Sequence, residues 1–188
     1  MVVPNHIICS FFLLYLTPTV GQNTLDKLGL TSATPASSSY SLRKMSTTYS
    51  GPLARITIGT NYYDVYPDTT SGLFAMTSKI SSVIATYNAA VAVASANALS
   101  TIITPGTTTA TVAIWYDQSG NGKNLVQTNT AMQPQIISSG VIEKENGRPF
   151  IKWISKASLN LAADLTTNGQ VFVVNKFGTP TTADGFIL

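Results

Sequence analysis

A mostly antiparallel β-sandwich with one helical insertion is the fold that this 188-residue sequence predicts. Three observations carry it. Short apolar-rich runs recur along the chain between Gly, Asn and Pro turn signals, at the spacing of a sandwich or barrel. Charged residues make up only 10% of the chain while Ser, Thr, Asn and Gly abound, the profile of an extracellular β-rich domain more than of a cytosolic helical enzyme. The length suits one domain with a real core and is short for two.

The elements follow in chain order. Residues 1–21 read as a secretory signal: Ile7 to Leu16 (IICSFFLLYL) is an apolar run of signal length, and Thr19-Val20-Gly21 places small residues before a cleavage point at Gln22. The run is too short to span a bilayer comfortably, so export rather than anchoring is expected, with no membrane association after cleavage. Residues 22–39 are read as a Ser/Thr-rich linker. Leu53 to Ile58 (LARITI) and Tyr62 to Tyr66 (YYDVY) read as a hairpin across Gly59-Thr60-Asn61. From Leu73 to Thr101, apolar residues recur every three or four positions and Ala is frequent, which predicts the helical insertion; Val91-Ala92-Val93 fits a strand equally well.

Beyond Pro105 the texture returns to strand. Thr109 to Tyr116, Leu125 to Gln127, Gln135 to Ile137, Pro149 to Trp153, Ser158 to Leu161 and Gln170 to Asn175 are the strand candidates. Turn signals at Gly140, Asn146-Gly147 and Asn168-Gly169 separate several of them. The last residues, Asp184 to Leu188, read as the start of another strand, so the expected domain, residues 40–188, is an incomplete sandwich.

Function classes narrow quickly. The only Cys and the only His, Cys9 and His6, lie in the signal. A cleaved chain therefore has no thiol nucleophile, no Cys/His zinc site and no Ser-His-Asp machinery. Net charge is +3, with three Arg and eight Lys scattered along the sequence without a stripe. Nucleic-acid binding, which needs a clustered basic face, is not expected.

The stretch AIWYDQSGNGKNL, Ala113 to Leu125, is the most heavily marked. Its Asp and Ser side chains can accept bonds from backbone N–H groups two residues on, and Gly120 and Gly122 permit positive φ. A structural turn is the first reading. Glycan contact through Asp117 and Asn121 is the second. The third is calcium, because Asp117, Ser119 and Asn121 alternate like half of a calcium loop, but Thr128 stands where the bidentate Glu belongs.

Tyr40 to Ile56 (YSLRKMSTTYSGPLARI) and Trp115 to Trp153 (WYDQSGNGKNLVQTNTAMQPQIISSGVIEKENGRPFIKW) resemble the catalytic domain of the α-L-arabinofuranosidase B family, across roughly a third of the chain. The resemblance implies a concanavalin A-like β-sandwich (jelly roll), of which this chain is the N-terminal part. It also implies a secreted, carbohydrate-directed protein, acting on terminal α-L-arabinofuranosides or, alternatively, a non-catalytic lectin-like or laminin-G-like glycan-binding module. It carries over no catalytic residue, cofactor or metal; the implied partner is a glycan or polysaccharide.

Candidate sugar contacts come from the residues themselves. Tyr62 and Tyr66 share one strand face by period-2 alternation, with Tyr63 on the other. Trp115 and Trp153 could stack on a sugar ring, although core packing is the commoner fate of such residues. Glycoside hydrolysis needs two carboxyls, about 5–5.5 Å apart for retention or about 6.5–9.5 Å for inversion. No pair among Asp26, Asp64, Asp68, Asp117, Glu143, Glu145, Asp164 and Asp184 has a distinguishing context, and each reads as a solvated surface group.

Overall fold

The computed structural model describes residues 23–30, 36–83 and 92–161. The chain is mostly β, built on an antiparallel, curled sheet, the architecture of an incomplete β-sandwich. The expected signal (1–21), the strand Gln170–Asn175 and the turn at Asn168-Gly169 lie outside the described residues.

The hairpin forms as its alternation requires. β1 (Ala54–Ile58) and β2 (Asn61–Val65) pair across Gly59-Thr60, with Ala54 facing Val65 and Ile58 facing Asn61. Gly59 has φ +60°, which a two-residue hairpin turn of this hand needs. β3 (Lys79–Val83) extends the sheet beside β2, and β4 (Ala92–Ala98) lies beside β3.

On the other side β1 pairs with β5 (Ala110–Trp115), and the register slips between Arg55 and Ile56, so that Ala113 is bulged. A bulge bends and twists its strand. It lets β5 serve two neighbours along its far edge, β6 (Leu125–Val126) at its C-terminal end and β7 (Gln135–Ser138) at its N-terminal end. β8 (Val141–Ile142) continues from β7, and β11 (Asn160–Leu161) closes on β6. β9 (Lys144–Glu145) and β10 (Arg148–Pro149) form a separate small hairpin around Asn146-Gly147.

The region expected as a helical insertion is corrected here. Its described residues hold β3, β4 and a short 3-10 turn, Leu99–Ile102, while 84–91 lie outside the described residues. The α-helix that is described is one turn, Thr24–Lys27. Ile80 and Val83, counted as one helical stripe, are both buried on β3, Ile80 facing the core and Val83 the other side. Sheet neighbours supply the backbone bonds, and that tertiary gain outweighs the helix preference of scattered Ala.

The core lies on one face of the sheet. Leu53, Ala54 and Ile56 meet Val65, Ile80, Val112 and Ile137, and Phe74, Leu99 and Ile103 fill the loops between. The expected strand over Pro149–Trp153 is shorter than its apolar run. Lys152 bridges Gln135, Ile151 joins the core, and Trp153 is exposed. Residues 22–39 do not behave as a loose linker where they are described. Leu25 is buried, and its N–H donates to the Met45 carbonyl at 2.9 Å.

Gly140 shows how tightly the β7–β8 turn is set. It has φ +76°, and an added Cβ would lie 2.7 Å from both the Pro105 Cα and the Thr104 carbonyl oxygen. Only glycine lets these two backbones approach.

Candidate functional site

The marked turn is a clasp. Asp117 is buried, and its Oδ1 accepts from the backbone N–H groups of Ser39 and Ser119, each at 2.9 Å. Its Oδ2 accepts from the Ser119 hydroxyl at 2.8 Å and the Lys123 N–H at 3.1 Å. Gln118 is also buried. Its Nε2 donates to the carbonyls of Ser41 and Arg43, each at 3.0 Å, and its Oε1 accepts from the Met45 N–H at 2.9 Å. Asn121 is exposed, and its amide donates to the Ala36 carbonyl at 2.8 Å. The loop's polar groups thus bind the 36–45 arm to the sheet. With four donors already on Asp117, the turn is built to brace the chain.

On the sheet face away from the core lies a buried ion pair. Arg55 and Asp64 are register partners on β1 and β2. The Arg55 Nε and Nη2 donate to Oδ1 and Oδ2 of Asp64, both at 2.8 Å, with side-chain exposures of 3% and 6%. The Tyr116 hydroxyl adds a third donor to Oδ1 at 2.8 Å, and its ring lies 6.0 Å from the guanidinium carbon. Burial, reinforced by the Asp64 charge, raises the Tyr116 pKa well above its ordinary value, so the phenol stays a donor. For Arg55, burial is the largest influence and opposes the charge, but the hydrogen bonds and charges of Asp64 and Tyr116 together outweigh it and raise the pKa.

Beside this pair an open groove of about 900 Å³ runs along the strand ends. Four cations line it: Arg43 and Lys44 from the arm, Lys79 from the start of β3, and Arg148 from the small hairpin. Among the described residues none of the four makes an ion pair. The groove's single carboxylate, Asp68, accepts from the N–H groups of Ser71 (2.7 Å) and Thr70 (3.1 Å) and from the hydroxyls of Thr77 (2.7 Å) and Ser71 (2.8 Å). These bonds, the Ser71 N–H foremost, lower its pKa to about 2. Tyr49 and Tyr66 stand half-buried in the wall. Burial raises the Tyr49 pKa, and its hydroxyl donates to the Pro52 carbonyl. Ser81, the register partner of Asp64, also lines the groove. It is 2% exposed, and its hydroxyl has no hydrogen-bond partner.

The residues expected to touch sugar are not brought together. Tyr66 lines the groove, where its N–H donates to the Lys79 carbonyl at 2.9 Å. Tyr62 sits on β2 opposite Thr57 and Val83, outside the groove lining. Trp115 packs against the core with its ring 5.9 Å from Tyr40, and its indole N–H is buried without a partner. Asp117 and Asn121 belong to the clasp. Trp153, read as a core residue by preference, is 46% exposed. The reading of every carboxylate as a solvated group is corrected at Asp64 and Asp117, both buried. Each gains enough donors to offset the loss of water.

Sequence reasoning missed the Arg55–Asp64 pair, although a signal was present. In a hairpin turning at Gly59-Thr60, positions 55 and 64 face one another, and opposite charges there mark a cross-strand pair. It also missed the basic groove, whose four cations come from three separate stretches. Among the described residues, no group of three or more His, Cys, Asp or Glu is placed to hold a metal ion, and no helix is long and apolar enough to cross a membrane. No protein-family model matches the chain, and neither a curated protein nor a solved structure matches it.

Proposed function

We propose that this is a secreted, carbohydrate-directed protein of the arabinofuranosidase B type, acting as a glycan-binding module through the groove. The observation that carries the reading is the groove itself. It is open and sugar-sized, with tyrosine rings in one wall and the hydroxyls of Thr47, Ser50, Thr69, Thr70 and Ser71 along it. Aromatic faces suit the apolar side of a sugar ring, and hydroxyls exchange bonds with its polar rim. The YSLRKMSTTYSGPLARI and WYDQSGNG…NGRPFIKW blocks, with the curled antiparallel sheet, support a concanavalin A-like class.

Binding is favoured over hydrolysis by the groove's lining: a glycosidase needs a pair of carboxyls across the sugar, and among the described residues Asp68 is the one carboxylate that lines the groove. A glycan array probed with the full chain is expected to show saccharide hits, and a blank array would refute the reading. Release of arabinose from an aryl α-L-arabinofuranoside would replace the binding module with an enzyme.

A further inference from the structure

We infer that the saccharide this groove accepts is anionic: a sugar bearing an oxyanion, either a uronate carboxylate or a sulfate ester. The inference rests on the carbohydrate reading above and names its ligand class. Three independent features point the same way. First, Arg43, Lys44, Lys79 and Arg148 converge on one groove while its only carboxylate is Asp68. The lining thus carries four positive charges against one negative. Second, that one carboxylate takes four hydrogen bonds from Thr70, Ser71 and Thr77 and forms an ion pair with none of the four cations, so a net positive charge remains in the groove. Third, the buried Ser81 hydroxyl lines the groove with no partner.

A buried hydroxyl without a hydrogen bond is costly, and native proteins rarely keep one without a use. The Ser81 hydroxyl lies under the groove wall two residues along β3 from Lys79, with its donor and acceptor capacity unused. A groove of about 900 Å³ falls within the range of about 300–1,000 Å³ usual for small-ligand sites. Like charges gathered in a cleft with low-dielectric walls focus their field on whatever enters, so oxyanions are concentrated there. A neutral pentose polymer would draw nothing from those charges.

The test uses the full chain and four probes in titration calorimetry at low and high salt: an oligogalacturonate, a heparin oligosaccharide, a neutral arabinan oligosaccharide and a single-stranded DNA oligonucleotide. At low salt one of the acidic saccharides is expected to bind at least about tenfold more tightly than the arabinan, and its affinity is expected to fall steeply as salt rises. Which of the two wins separates uronate from sulfate. The paired change Lys44→Glu and Lys79→Glu is expected to weaken that binding at least about tenfold with the melting temperature unchanged. Ser81→Ala provides a second readout. It is expected to weaken binding several-fold while leaving stability equal or higher, because it deletes an unsatisfied group. Arabinan bound as tightly as the acidic sugars, without salt dependence, would overturn this inference and leave the glycan-binding reading standing. No binding by any saccharide would overturn both. DNA bound more tightly than either acidic saccharide would overturn the assignment of a sugar ligand.

Discussion

Replacing Asp64 with Asn tests whether the buried pair is a fixed part of the fold. Asn keeps the shape and one acceptor oxygen but removes the charge that faces Arg55. The guanidinium would then lie at 3% side-chain exposure with no carboxylate charge facing it and one of its two 2.8 Å bonds lost. Removing one partner of a buried ion pair costs about 3–5 kcal/mol, chiefly through the charge left behind. With a urea slope of about 2 kcal/mol/M, that loss lowers the unfolding midpoint by about 1.5–2.5 M. The assay is equilibrium urea unfolding followed by Trp fluorescence and circular dichroism together. The same reasoning requires a compensated variant to recover. Arg55→Met, Asp64→Leu and Tyr116→Phe together remove every polar member of the trio, and such replacements are often neutral or stabilising by about 1–4 kcal/mol. A loss below about 1 kcal/mol in Asp64→Asn, or a triple variant as unstable as the single one, would refute this reasoning.

Other outcomes are as definite. Gly140→Ala is expected to cost more than the roughly 1–2 kcal/mol of a left-handed residue, because its Cβ also meets the backbone of Thr104 and Pro105 at 2.7 Å; a thermal melt indistinguishable from the parent would refute this. Gln118→Ala removes two donor bonds and one acceptor bond to the 41–45 arm, and at about 1 kcal/mol each the arm should become the first site of limited proteolysis. For Asp68 the folded pKa, about 2, lies below the ordinary 3.8, so its ionised form stabilises the 68–77 loop above about pH 4, and that contribution disappears as pH falls toward 2. The protection of the Ser71 N–H relative to its intrinsic exchange rate should therefore fall through that window, and Asp68→Asn should abolish the pH step.

The hairpin and the turns were legible because local chemistry determines them. Gly59-Thr60 between alternating runs allows few conformations, and Asp117, Ser119, Asn121 and Lys123 bond among themselves over a few residues of local sequence. The stretch from Leu73 to Thr101 was not legible. Its Ala, Ser and Val residues fit a period of 3.6 and a period of 2 almost equally, so the choice falls to the neighbouring strand β2. The groove escaped for a different reason. Lys44, Lys79 and Arg148 are more than thirty residues apart in sequence, and only the sheet's curl assembles them. Asp64 sat in plain view as a surface carboxylate until register placed it against Arg55.

The clasp also bears on how the chain is made. Ser39, Tyr40, Ser41, Arg43 and Met45 are held by Asp117, Gln118 and Lys123 across sequence separations of 73 to 83 positions. A ribosome delivers the N-terminal arm first and its anchor last. At roughly 5–20 residues per second, the arm waits on the order of 4–16 seconds before Asp117 emerges. For that interval the arm that carries Leu42 lacks the clasp that fixes it to the sheet, so the last contacts of the fold to form join its first-made residues to some of its later ones.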